Sequence, residues 1–123
     1  MKKFVIALIF ILFLIPVFAA QYDNTTSSRQ KKMVIYLYTN ECGVCKRFNP
    51  IFNSISSKYG QKCTFKKINA NTQEGYNVLR RFNVRYVPFV IIQDNAARDA
   101  RPIEYGCFMD HSCFDAVVDN FTK

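Results

Sequence analysis

Two cysteines three positions apart, Cys42 and Cys45, are the residues of this sequence with the clearest capacity for chemistry. A C-x-x-C pair can cycle between dithiol and disulfide, supply half of a zinc site, or crosslink the fold. Zinc needs four ligands, and the remaining sulfur and imidazole side chains lack a matching spacing: Cys63, Cys107, His111 and Cys113. A disulfide across so short a loop constrains little unfolded-chain entropy. We therefore interpret the pair as redox-active and expect neither a metal nor a cofactor.

The segments around the pair predict how it is positioned. The run MVIYLY over Met33–Tyr38 predicts a central strand, because it is continuously apolar and rich in β formers. From Val44 to Tyr59 the apolar residues recur at helical spacing and are followed by Gly60, which predicts an amphipathic helix that ends there. Pro50 falls inside this pattern and is expected to kink the helix without ending it.

This arrangement gives the two sulfurs different roles. Cys42 would lie where the strand ends and the helix begins, so that unpaired N–H groups and the helix dipole stabilise its thiolate. Cys45 would lie one turn further in, within reach of Cys42 but shielded from solvent. We expect Cys42 to attack a foreign disulfide and Cys45 to resolve the mixed disulfide that results.

The rest of the chain predicts an α/β domain of order β-α-β-α-β-β-α, with its first two strands parallel. An edge strand with two lysines is predicted at residues 63–69, followed by a helix capped by Asn71 or Thr72. The next predictions are a strand at 89–92, a polar turn over 93–102, a returning strand at 103–105, and a last helix whose capping box is Ser112 and Asp115.

Three segments resemble the thioredoxin family. CGVCK, from Cys42 to Lys46, with Pro50 after it, is similar to the family's C-G-P-C-K followed by a helix-kinking proline. FNVRYVP, at residues 82–88, resembles Y-G-I-R-G-I-P, and Gly106 matches a third family landmark. The resemblance covers residues 31–123 and implies a minimal thioredoxin-like fold, with a four-stranded mixed sheet flanked by helices.

The resemblance also implies a substrate-binding surface. It implies that the Val87–Pro88 bond is cis, that Val87 offers its backbone to an extended substrate segment, and that Gly43 and Val44 belong to the same surface. The implied substrates are protein thiols and disulfides, and an unidentified redox partner, either a membrane electron donor or an oxidant, would restore the pair.

Several positions depart from the family pattern. Glu41 replaces the tryptophan before the first cysteine, Tyr36 replaces a buried aspartate, and Val44 replaces the intervening proline. The family's first strand and helix are also not evident, and the chain lacks the inserted helical domain of oxidising relatives. We favour a reductase or a general exchange role. The alternatives are a disulfide-forming oxidase of the same fold and a non-catalytic binding or assembly module.

The other three cysteines are assigned structural roles. Cys107 and Cys113 are expected to form a structural disulfide, with an auxiliary redox pair as the functional alternative. By the strand order that the resemblance implies, Cys63 is too far from Cys107 to bond to it, so we expect a buried free thiol, with a dimer-forming disulfide as the alternative. His111 is expected in a surface loop, and a copper site made from it and the cysteines remains open on ligand type alone.

The first 20 residues have the layout of a secretory signal peptide: two lysines, an apolar run and small residues at the cleavage site, after Ala19 or Ala20. Residues 21–30 would form a flexible leader, and the bacterial periplasm is the expected location. An uncleaved membrane anchor is the alternative. The charge of +8 includes Lys2 and Lys3, and the remaining basic residues are dispersed, so we expect a monomer that binds no nucleic acid.

Overall fold

A computed structural model of the chain describes residues 32–94 and 99–123, so the predicted signal peptide at 1–20 and leader at 21–30 lie outside the described residues. The strands are β1 (Met33–Tyr38), β2 (Thr64–Asn69), β3 (Phe89–Asp94) and β4 (Asp99–Ile103). The helices are α1 (Gly43–Tyr59), α2 (Gln73–Arg81), α3 (Tyr105–Phe108) and α4 (His111–Thr122). Among these helices, none combines the length and the apolar character that a membrane crossing requires.

The four strands form one mixed sheet in the order β2-β1-β3-β4. β1 pairs in parallel with β2 and antiparallel with β3, while β4 pairs antiparallel with β3. The predicted α/β fold, with a four-stranded mixed sheet flanked by helices, is therefore confirmed, as are the central position of β1 and the edge position of β2. The short helix α3 is an addition to the predicted order.

Alternate side chains of β1 serve two separate hydrophobic cores, as the two-residue period of a strand requires. Val34 and Tyr36 point into the larger core, to which α1 and α4 contribute. Ile35 and Leu37 point into the smaller core on the opposite face, where α2 packs. Both faces of β1 are thus covered, which is why its sequence is continuously apolar.

The second half of the chain departs from the prediction at several element ends. Residues 93–94 extend β3 and residues 99–102 belong to β4, so the predicted polar turn over 93–102 was too long and the returning strand at 103–105 was placed too late. β4 is an edge strand whose side chains at Asp99, Arg101 and Pro102 are exposed, so it has no continuous apolar signal. Tyr105 begins α3 instead of ending a strand.

The last helix also begins earlier than predicted. Asp110, not Ser112, is its N-cap, because the Asp110 carboxylate accepts a hydrogen bond from the Cys113 N–H at 2.8 Å. His111 is consequently the first residue of α4 and not part of a loop, and its Nε2 lies 3.1 Å from Ser54 Oγ. Of the two caps predicted for α2, Thr72 is the one observed.

Helix α1 runs on through Pro50 and ends at Tyr59, as predicted. Gly60 follows it with a φ of −60°, so the glycine is not needed for a left-handed turn. A Cβ atom at this position would lie 2.8 Å from the Ser56 carbonyl oxygen. The close approach of that carbonyl therefore accounts for the glycine.

Candidate active site

The C-x-x-C pair lies at the N-terminus of α1, where Cys42 is the N-cap residue. Its backbone is extended, and its Sγ accepts a hydrogen bond from the Cys45 N–H at 3.0 Å. The two cysteines form a disulfide with a Cα–Cα distance of 5.2 Å. Cys42 is half-buried, whereas Cys45 is 2% exposed, so an incoming group has access to the first sulfur and not to the second.

The electrostatics of this helix end favour a negative charge on Cys42. The first turn of α1 carries no acidic residue, and Lys46 and Arg47 are exposed on it. The Cys45 N–H and the positive end of the helix dipole also point toward the Cys42 sulfur. Together these groups stabilise a thiolate at Cys42 when the disulfide is reduced.

The segment before β3 brings a second part of the chain to the pair. The Val87–Pro88 bond is cis, and Pro88 is fully buried. The Val87 carbonyl oxygen lies 3.7 Å from Cys42 Sγ, although the two residues are 45 positions apart. The structure thus brings Val87, which the resemblance assigned to substrate binding, beside Cys42.

Tyr36, on the central strand β1, contacts the first turn of α1, a role that the sequence analysis missed. Its buried hydroxyl donates a hydrogen bond to the Cys45 carbonyl oxygen at 3.1 Å. Burial, with a smaller contribution from Tyr38, raises the pKa of Tyr36 to about 12. The phenol therefore stays protonated at neutral pH, so it anchors the first turn of α1 and does not accept the Cys45 proton. The need of a buried tyrosine for a hydrogen-bond acceptor was the available signal.

Cys63 is the buried free thiol that the sequence predicted. It is 7% exposed, just before the edge strand β2. Burial raises the pKa of the Cys63 thiol to about 11, an effect that nearby Lys32 partly opposes. At neutral pH this side chain is a neutral and shielded thiol, so it is not a second nucleophile.

We expect the free energy of unfolding to fall by about 1–3 kcal/mol as the pH rises from about 9 to about 11, because of Cys63. In this window the unfolded thiol has lost its proton while the folded one keeps it, so the unfolded state binds fewer protons. Urea unfolding across the pH range measures the slope. Cys63→Ala is the matched control, because it removes this titration and leaves the other ionisable groups. Equal slopes for the two proteins would contradict the assignment.

Cys107 and Cys113 form their own disulfide between α3 and the first turn of α4, with a Cα–Cα distance of 5.1 Å. This bond is separate from the Cys42–Cys45 pair. No group of three or more His, Cys, Asp or Glu side chains within residues 32–94 and 99–123 is arranged to hold a metal ion.

Comparison with known proteins gives a consistent result. The family model described as Thioredoxin matches residues 14–106. A thioredoxin of Borreliella burgdorferi is 26% identical over 110 residues, which cover 89% of this chain and 90% of that protein. A thioredoxin of Mycoplasmoides gallisepticum is 32% identical over 83 residues, covering 67% of this chain and 79% of that protein.

Solved structures share the fold at low sequence identity. The germline-specific thioredoxin Deadhead of Drosophila melanogaster matches with a TM-score of 0.60 and 22% identity, over 76% of this chain and 83% of that one. The J-Trx1 fragment of ERdj5 matches with a TM-score of 0.64 and 12% identity. This second match covers 75% of the present chain and 42% of the ERdj5 fragment.

Proposed function

Since the chain belongs to the thioredoxin family and its C-x-x-C pair makes it a thiol–disulfide oxidoreductase, we propose that it is an exported enzyme that exchanges disulfides with proteins through Cys42 and Cys45. We further propose that it works as a reductase or in general exchange. One observation carries the mechanism: the half-buried Cys42 caps the N-terminus of α1, whereas Cys45, to which it is bonded, is buried.

In the proposed reaction, the Cys42 thiolate attacks one sulfur of a substrate disulfide, and the other substrate sulfur leaves with the bonding electron pair. Cys45 then attacks Cys42 Sγ, which releases the reduced substrate and re-forms the Cys42–Cys45 disulfide. The burial of Cys45 supports this order, because a substrate can reach Cys42 alone. An external dithiol must reduce the pair again before the next cycle.

Substrate placement is proposed to use the segment before β3. The Val87 carbonyl lies beside Cys42 Sγ, so an extended substrate chain paired with the Val87 backbone would bring its own sulfur to Cys42. Tyr86 is 60% exposed next to Val87 and offers an aromatic surface to the same substrate. Gly43 and Val44 would border the substrate on the α1 side.

The proposed direction of electron flow, toward the substrate, rests on the helices that flank the sheet. Oxidising relatives carry an inserted helical domain, whereas the described residues between β2 and β3 contain only the nine-residue helix α2. The valine between the two cysteines, Val44, is by contrast a point of resemblance to those oxidising relatives. The equilibrium of the Cys42–Cys45 pair with glutathione measures the direction, and a strongly oxidising value would reject the reductase role.

The proposed export rests on the first 20 residues, with their lysine pair, apolar run and small residues before Gln21. Cleavage after Ala19 or Ala20 would deliver a domain covering residues 31–123 to the periplasm, behind a leader at 21–30. The redox partner there would be a membrane electron donor or an oxidant. Retention as an uncleaved anchor is the other outcome for this segment.

Trapping with a Cys45→Ser variant tests the proposed function. Without the resolving sulfur, the attack by Cys42 stops at a mixed disulfide, which non-reducing electrophoresis and mass spectrometry detect. We expect substrate proteins to be bound through Cys42 and to be released by dithiothreitol. The full-length variant, expressed in a bacterium and separated into periplasmic and membrane fractions, also reports the cleavage site through its mass.

The control for trapping is the double variant Cys42→Ser/Cys45→Ser, which keeps Cys63 and the second disulfide. Peptide mapping assigns any adduct in this control to Cys63 or to the second disulfide, and an adduct yield equal to that of Cys45→Ser would contradict the assigned nucleophile. A Cys45→Ser protein that forms no adducts, although it folds, would support a non-catalytic binding or assembly module instead.

A further inference from the structure

The Cys107–Cys113 disulfide has a surface position that a purely structural crosslink does not require. Cys113 is exposed in the first turn of α4, whereas Cys107 on α3 is half-buried. The two residues therefore differ in exposure, although less than Cys42 and Cys45 do. Disulfide exchange begins at the sulfur that an incoming thiolate reaches more easily, and Cys113 is the more exposed of the two residues.

Both of these cysteines line a cleft of about 400 Å³ between the edge of the sheet and α4. Its apolar wall includes Ile92, Ile103 and Val117, and Arg101 and Glu104 supply one charge of each sign. This volume and this mixture of apolar wall and few polar groups are typical of sites for small ligands. The disulfide therefore lies at a shallow, open cleft.

The surrounding fold can keep its shape when this bond opens. Phe108 and Phe114, which lie between and just after the two cysteines, are both buried and pack against Phe48 of α1. The start of α4 is held independently by the hydrogen bond from the Cys113 N–H to the Asp110 carboxylate. The ends of the loop are thus fixed by packing and capping, so the disulfide is free to be reduced and re-formed.

We infer that Cys107–Cys113 is a second redox site, which exchanges electrons with a cysteine thiol carried on a peptide that binds in the cleft. The incoming thiolate bonds to Cys113 Sγ, and Cys107 Sγ leaves as a thiolate with the electron pair of the broken S–S bond. A second thiol then attacks the peptide sulfur of the mixed disulfide and releases Cys113. Two thiols become one disulfide, the Cys107–Cys113 pair gains two electrons, and its thiolates take up protons from water.

The test uses the full chain carrying Cys42→Ser, Cys45→Ser and Cys63→Ala, so that the second disulfide is the one remaining redox group. One arm adds reduced glutathione, a tripeptide thiol, and the other adds a reduced copy of this chain carrying Cys107→Ser and Cys113→Ser as a protein dithiol. We expect reduction at least about tenfold faster than that of an unstructured model disulfide, bis(2-hydroxyethyl) disulfide, under the same conditions. Peptide mapping is expected to place the transient adduct on Cys113.

Reversing a charge at the cleft tests whether glutathione binds there before it reacts with the disulfide. Arg101→Glu is expected to slow the reaction with anionic glutathione about tenfold, whereas Arg80→Glu, on α2 at the opposite face of the sheet, is expected to leave the rate unchanged. Reduction in one arm alone supports the inference and identifies the source of the thiol. Failure of both arms, or an adduct on Cys107, overturns it and leaves a structural crosslink, whatever the outcome of trapping at Cys42.

Discussion

Replacing Cys42 by serine is expected to lower the turnover of a disulfide-bonded reporter protein by at least about 1,000-fold. A serine hydroxyl does not ionise at neutral pH, so the helix N-terminus, Lys46 and Arg47 have no thiolate to stabilise. The buried Cys45 cannot substitute, because it is 2% exposed within the first turn of α1. The measurement is the rate of reporter reduction with dithiothreitol as the electron source.

Cys63→Ala is the matched control for this experiment. It also removes one sulfur, but from a buried site before the edge strand β2, so turnover is expected to stay within about twofold of the unmodified chain. Circular dichroism of both variants excludes unfolding as the cause of any loss. If Cys42→Ser kept a substantial fraction of the turnover, the catalytic role proposed for the C-x-x-C pair would be wrong.

Gly75→Ala is expected to lower the free energy of unfolding by about 3 kcal/mol, although the same change in an exposed helix stabilises by up to about 1 kcal/mol. Gly75 lies in the first turn of α2, where a Cβ atom would come within 2.1 Å of the Asn69 carbonyl oxygen and 2.7 Å of Ala70 Cα. These are backbone atoms at the end of β2, so α2 as a whole must shift. Urea unfolding is expected to show a lower midpoint with an unchanged slope.

Gly106→Ala serves as the control for Gly75→Ala. Gly106 is also helical, and a Cβ atom there meets nothing within 4 Å, so the free energy of unfolding is expected to change by less than about 1 kcal/mol. Similar effects at both positions would mean that the close approach of α2 to β2 does not determine the stability of this region.

The C-x-x-C site was largely predictable because its chemistry depends on neighbours along the chain. Three-residue spacing at a strand-to-helix junction is sufficient to bring the Cys42 and Cys45 sulfurs together, and the change from a strand run to a helical period marks that junction. The position of Val87 beside Cys42, 45 residues away in the sequence, depends instead on the antiparallel pairing of β1 with β3. Here the resemblance to a family supplied what periodicity could not.

The errors of the sequence analysis fall where side-chain pattern is weak. β4 is an exposed edge strand that contains Pro102, so neither apolar alternation nor β propensity marks it. The predicted cap of α4 was Ser112, but the Asp110 carboxylate accepts the hydrogen bond from the Cys113 N–H, so the helix starts two residues earlier. Asn83 adopts a φ of 49° where the family segment has glycine, which is a substitution that asparagine tolerates.

By itself, the sequence determined the fold class, the central strand, the active-site helix and the redox pair, because each follows from spacing within one element or across one junction. Only the tertiary structure revealed that Tyr36 holds the Cys45 carbonyl. It also showed that Cys107 and Cys113 open onto a cleft. The physical reason is that the exposure and hydrogen bonding of a side chain depend on elements far away in sequence. The segment ECGVCK, residues 41–46, thus indicates the redox chemistry, whereas the packing around it determines which sulfurs a substrate can reach.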